Sequence, residues 1–441
     1  MDEYATWKHQ RIKNTYKVPL QFEKFIWIGY LVCLDTFLDM FTSLPIRVLK
    51  HKKRLDIMLL MAFIVLLYTL DLDIAYLYHF IRGQSVIKLY VIFNTLEIAD
   101  KLCASFGLDI VDVILVQEFN KSSWKHTLHS SLYFCTSFLC LVLYGAAHSI
   151  VLLFQLVALN VAVNSHNNAL LTLLISNQFA ELKTSVFKKF EAENLFQLGC
   201  SDIVERLHLT IFLLLTFLRN LSDSSEPLQS STLLILPEWC MPDYLLSIVD
   251  PLLAVIASEF MVDWIKHAFI TKFNGIKPNV YQLFSQVIAR DILRKSHIPH
   301  ATSRRLGFGV LPASVLVLSN LFDILPKWFE QSQVALFTGS PVFDNQSYYL
   351  TLVLLYGGLW IARQFIKQTL FQLAKDLSNE PDNTNSIGGP SDFMYAPVHA
   401  IPTYEDMPLK GKSNKNNFVQ HKELNLETID RFSIWKSRVP T

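Results

Sequence analysis

Glu259, Asp263 and His267 recur at four-residue spacing in SEFMVDWIKHAFI, so on a helix all three share one face, with Lys266 beside them. Two carboxylates and an imidazole so placed can bind a cation or relay a proton, because histidine titrates near neutrality and acids at membrane depth are costly unless used or paired. The same set also reads as a salt-bridged or solvated helix end. A second polar group, Asn160, Asn164, His166, Asn167 and Asn168, stands between two apolar runs. Such residues bridge helices by hydrogen bonds, break one helix into two, or line an ion or substrate path. Asp35, Asp39, Asp71, Asp73 and Asp250 lie in or beside apolar segments, where each needs a partner, the interface or water. Arg82, Glu97, Asp100, Asp109 and Asp112 are the nearby groups considered as partners.

Beyond these, the chemistry is sparse. The chain has no GxSxG, HExxH, P-loop or Rossmann glycine fingerprint, so no catalytic residue and no cofactor is expected, and the protein is read as a non-enzyme. His126 with His129, and His297 with His300, lack the acids or cysteines of a zinc site, and no metal is expected. Six cysteines form no CxxC pair; Cys33, Cys135 and Cys140 sit in apolar segments and read as buried thiols.

The elements that must carry these residues are membrane helices. At 51% hydrophobic and 17% charged over 441 residues, the composition departs from that of soluble domains. Segments near 57–79, 130–160, 207–222, 244–262, 306–326 and 348–372 are apolar enough to cross ~30 Å of hydrocarbon. A stretch at 25–45 is apolar but holds Asp35 and Asp39, and reads as a re-entrant or a spanning helix. The fold class is therefore all-α: a polytopic helical membrane protein of about six to seven membrane helices with interfacial amphipathic helices. Three regions follow: a basic N-terminal segment, 1–56; a polytopic domain, 57–375; and a polar tail, 376–441, read as disordered and cytosolic. The N-terminus has no apolar core of a cleavable signal peptide. A net charge of +1 gives no reason to expect nucleic acid as a partner.

Phe179, Leu182, Val186 and Phe190 recur at helical spacing with Phe187 beside them, and Lys183, Lys188 and Lys189 occupy the rest of the turns. That pattern predicts an interfacial helix over 179–196 on the cytosolic leaflet, with membrane lipid as its partner; a packed helix with solvated lysines is the alternative. Similar spacing predicts an amphipathic helix over 89–106. Charge asymmetry places the basic 266–305 loop and the tail in the cytosol and the loops near 223–243 and 328–347 in the lumen.

Four long blocks carry a family likeness: Tyr78–Ile114, Ala147–Leu209, Ser258–Tyr281 and the SRRLGFGVLP run at Ser303–Pro312. Their wording resembles the transmembrane anterior posterior transformation family, in its fungal endoplasmic reticulum branch. The resemblance implies a multi-pass protein of the endoplasmic reticulum membrane, acting as a scaffold in protein folding and quality control. It also implies a SUN-domain-like membrane glycoprotein as partner, with folding clients beside it. A transporter or ion channel, running through the intramembrane acids and the asparagine group, is the alternative function.

Overall fold

The computed structural model describes residues 2–51, 54–69, 74–119, 127–164, 169–223, 243–294, 301–336 and 345–379. Asp71, Asp73, His166, the 224–242 loop and the tail beyond 379 lie outside the described residues.

Every element among the described residues is a helix: α1 (Asp2–Thr42), α2 (Leu44–His51), α3 (Arg54–Thr69), α4 (Ile74–Arg82), α5 (Val86–Phe119), α6 (Thr127–Val163), α7 (Ala169–Val186), α8 (Ala192–Asp223), α9 (Asp243–Asn274), α10 (Val280–Leu293), α11 (Ala301–Leu306), α12 (Val310–Leu336) and α13 (Asn345–Asn379). Two of them, over Thr15–Thr42 and Cys135–Val163, are long and apolar enough to cross a membrane; Leu55–Thr69 and Val310–Ile324 are shorter apolar stretches.

The 25–45 stretch lies in one continuous helix as far as Thr42, and Leu44 and Pro45 open α2. At ~1.5 Å per residue, the 41 residues of α1 extend about 60 Å. Apolar residues at Phe22, Phe25, Ile26, Ile28, Val32 and Cys33 fall on one broad face and are buried, which makes α1 a central element. It packs against α8, α9, α10, α12 and α13. Gly29 permits the closest approach: a Cβ there would collide with the Ile203 side chain of α8.

Pairs of contacting residues fix the relative directions. Asp100 of α5 meets His148 of α6 while Gly107 lies against Tyr144, so α5 and α6 are antiparallel. His148 and His208 both approach Asp100, and Asn164 bonds Asn220, so α6 and α8 are parallel. Asp202 pairs with Lys266 and Arg206 with Asp263, so α9 runs against α8. Gln178 accepts from Ser258 while Phe187 stacks on Phe273, so α7 runs with α9. The apolar stretches 130–160 and 207–222 thus run in the same direction, with α7 returning between them.

The helix expected over 179–196 is two helices. Residues 187–191 break the run between α7 and α8. The reason is a bridge from the end of α9: Asn274 Oδ1 accepts from the Phe190 backbone N–H at 2.9 Å, and Asn274 Nδ2 donates to the Lys188 carbonyl at 3.3 Å. A side chain supplies partners that a continuous helix would otherwise have used. The apolar stripe divides accordingly. Val186 and Phe196 are buried and Phe190 is half-buried against the core, whereas Phe179 and Phe187 remain exposed. Leu182 is half-buried, and Lys183, Lys188 and Lys189 are exposed.

The SRRLGFG run has a structural role. The Phe308 N–H bonds the Ser303 carbonyl at 3.2 Å and the Gly307 N–H bonds the Arg304 carbonyl at 2.9 Å, the paired bonds of a Schellman stop. Gly307 sits at φ 80°, where a side chain is strained. The stop ends α11 and lets α12 begin at Val310.

Candidate functional site: a buried charge network at α1, α8, α9 and α10

On α8, Asp202 and Arg206 stand four residues apart; on α9, Asp263, Lys266 and His267 occupy the facing stripe. All five lie outside the Thr15–Thr42 and Cys135–Val163 segments. Glu23 and Phe22 enter from α1, and Tyr281 from α10.

The contacts form one chain. Both Glu23 carboxylate oxygens accept from Arg206 Nη1, at 2.9 and 3.0 Å, and Glu23 also accepts from Trp264 Nε1 at 2.6 Å. Arg206 Nε donates to Asp263 at 2.9 Å. Lys266 Nζ lies 2.9 Å from Asp263 and 2.9 Å from Asp202. The second Asp202 oxygen is 2.6 Å from His267 Nε2, and His267 Nδ1 is 2.8 Å from the Tyr281 hydroxyl. Phe22 stacks on the His267 ring at 3.9 Å, and the Arg206 guanidinium lies 4.2 Å over Phe260.

Burial of these groups is nearly complete: the Lys266, Asp202 and His267 side chains are 1%, 1% and 0% exposed. Burial lowers the His267 pKa, against the opposing pull of Asp202. A neutral imidazole assigns the tautomer: Nε2–H donates to Asp202, and Nδ1 accepts from the Tyr281 hydroxyl. Burial alone would raise the Asp202 pKa, but Lys266 and His267 together hold it well below the usual carboxylate range. Asp263 is pushed upward, chiefly by burial and secondarily by Asp202, against Lys266 and Arg206.

An Asp–His–Tyr sequence has the connectivity of a proton relay. Here Phe22 covers the imidazole face and Tyr281 is itself fully buried, so the relay ends in packed side chains. What the arrangement does is tie four helices together. Removing one member leaves an uncompensated buried charge, at a cost of about 3–5 kcal/mol.

Of the face read from the sequence, Asp263 and His267 enter this network. Glu259 does not: it accepts from Gln178 of α7. Asp250, near the start of α9, is exposed. Asn160 is buried and accepts from Asn164 Nδ2 at 2.6 Å, and Asn164 exchanges two amide bonds with Asn220, at 2.8 and 2.9 Å. The asparagines thus bridge α6 to α8. Asp39 pairs with Arg47 at 2.6 Å and with Arg363, and Asp35 pairs with Arg363 at 3.2 Å. The cations for these two acids are therefore Arg47 and Arg363, not Arg82, while Asp100 pairs with His148 at 2.7 Å.

Glu23, Asp202, Arg206 and Tyr281 escaped the sequence reading. One signal was available, the opposite charges of Asp202 and Arg206 four apart in SDIVERLHL, on a helix that becomes fully apolar one turn later.

With the geometry in view, likeness to known proteins is informative. Residues 49–379 match the eukaryotic membrane protein family. The chain belongs to that family. It is 35% identical over 393 residues to endoplasmic reticulum membrane protein 65 of Schizosaccharomyces pombe, covering 78% of this chain and 59% of that protein. It is 36% identical over 380 residues to the protein of the same name in Saccharomyces cerevisiae, covering 76% of this chain and 65% of that one. The transmembrane anterior posterior transformation protein 1 of Mus musculus is 37% identical over 343 residues, with 71% and 57% covered. The chain therefore spans less than two thirds of the length of these relatives. No solved structure matches. The family member described here is a protein of the endoplasmic reticulum membrane.

Proposed function

We propose that this family member is a non-catalytic, multi-pass scaffold of the endoplasmic reticulum membrane, with about six to seven membrane helices, that serves protein folding and quality control. One observation carries the reading: Asp202, Arg206, Asp263, Lys266 and His267, buried on α8 and α9, contact one another and groups of α1 and α10. A transporter or channel would need such groups facing a water-filled path. Here Asp263 and His267 are packed into helix-to-helix locks, and Asn160 and Asn164 hold α6 to α8. A rigid bundle of this kind suits a platform on which other proteins assemble.

The partner class rests on the family resemblance: a SUN-domain-like membrane glycoprotein of the same membrane, with folding clients associated through the pair. Affinity purification of the full chain in mild detergent tests it. Recovery of such a glycoprotein near one-to-one is expected. Recovery of the chain alone, together with ion flux from proteoliposomes that is abolished by His267→Ala, would replace the scaffold with the transporter.

A further inference from the structure

Between α1, α2, α3, α5, α6, α11 and α12 lies an apolar cavity that is open on one side. Its wall is mostly hydrocarbon, with Met40, Leu55, Leu59, Val111 and Leu141 prominent. Apolar walls with a few placed polar groups are the usual character of a small-molecule site. Arg47 and Arg304 also stand in the wall, and their side chains are 28% and 20% exposed, so the cavity reaches the protein surface there.

The polar end has a definite character. Arg47 pairs with Asp39 at 2.6 Å and Asp56 at 3.4 Å, and Arg363 pairs with Asp35 and Asp39. Arg304, also in the wall, pairs with Asp112, so four carboxylates face three guanidinium groups and a further carboxylate would be repelled. Yet Arg47 Nε is buried and donates to no acceptor among the described residues. An unmade bond at a buried donor is costly, and more so at a charged one. The site asks for an uncharged oxygen acceptor at its polar end and hydrocarbon beyond it.

We propose that this cavity is a lipid site that takes one acyl chain of a membrane phospholipid. The chain lies among Leu55, Leu59, Val111 and Leu141, and an ester carbonyl oxygen accepts from Arg47 Nε. Free fatty acid is disfavoured, since its carboxylate would meet Asp39 in the wall. The site is separate from the charge network of α8 and α9, and it stands whether or not the scaffold reading does.

Full-length protein in phosphatidylcholine nanodiscs containing a phosphatidylcholine with a diazirine on its acyl chain provides the test. After illumination, adducts are expected on the peptides carrying Ala104–Val111 and Leu141–Tyr144, and unlabelled phosphatidylcholine should compete where palmitate and cholesterol do not. Leu59→Trp and Ala104→Leu fill the space and should each reduce these adducts about tenfold, whereas Leu354→Trp, on the exposed side of α13, should leave them unchanged. Melting temperature reports whether each variant is folded; should both filling variants fail to fold, the wild-type adduct map and the competition decide. Adducts spread evenly over exposed helix faces and indifferent to filling would mean annular lipid only and overturn the proposal. Competition by palmitate or cholesterol at equal mole fraction would overturn the assigned ligand class.

Discussion

Lys266 and Asp202 meet at 2.9 Å with both side chains 1% exposed, on helices of opposite direction. Lys266 Nζ also lies 2.9 Å from Asp263, so this deeply buried side chain is flanked by two carboxylates, as a buried charge requires. The two residues are as much a part of the packing as the phenylalanines around them.

Lys266→Met should accordingly destabilise the protein by about 3–5 kcal/mol, because two carboxylates lose their shared cation. Adding Asp202→Asn should cost less than the sum of the single substitutions, by about 0.5–3 kcal/mol, as expected for residues in contact. Thermal unfolding in detergent of the four proteins of the cycle reads this coupling. Strict additivity would mean the two side chains do not interact.

Acid should weaken the fold through His267. Its pKa in the folded protein is lowered by burial, so near pH 6 the unfolded chain binds more protons than the native one, and stability falls as pH drops below the ordinary histidine value of ~6.5. His267→Asn keeps a side chain able to hydrogen-bond and removes the titration. Between pH 7.5 and about 5.5 the melting temperature of the parent should fall more steeply than that of the variant. Equal slopes would show that His267 is not held neutral.

Phe187, 80% exposed, stacks on Phe273 at 5.7 Å, with Phe269 stacked on Phe273 and Lys272 over Phe269. Aromatic rings beside Lys188 and Lys189 form the kind of belt that sits at a membrane surface. We expect this cluster to lie in the cytosolic leaflet. A spin label at position 187 or 273 should be accessible to oxygen dissolved in lipid, while one at buried Phe196 should not. Each buried ring contributes roughly 1.5–3 kcal/mol against about 1 kcal/mol per lysine. Phe187→Asp should therefore perturb seating more than Lys188→Ala. A label at 187 reached by an aqueous relaxation agent instead would place the cluster in water.

Much of the helical order was legible in the sequence, because apolar runs and their ends are local properties. The apolar segment near 130–160 lies within α6, and the one near 244–262 lies within α9. The break at 187–191 was not legible, since it depends on Asn274, more than eighty residues downstream, supplying hydrogen bonds to Lys188 and Phe190. The candidate site was half visible. Helical spacing put Asp263 and His267 on one face, but the residues that neutralise and cap them come from three other helices, and spacing within one helix says nothing of those. Glu259 shares the spacing and diverges in fate because Gln178 of α7 happens to face it.

Replacing these charges together, the α8 and α9 members by apolar residues of similar volume and Glu23 by its neutral amide, asks whether they act by holding the bundle together. Buried ion networks so replaced are often neutral or more stable by about 1–4 kcal/mol. The variant combining Asp202→Leu, Arg206→Met, Asp263→Leu, Lys266→Met and Glu23→Gln should purify as a folded species, and its yield of the proposed SUN-domain-like glycoprotein should match that of the parent. A variant that melts as high as the parent yet recovers no partner, or fails to sustain the function of the native gene product in cells, would contradict the account and assign these charges a working role.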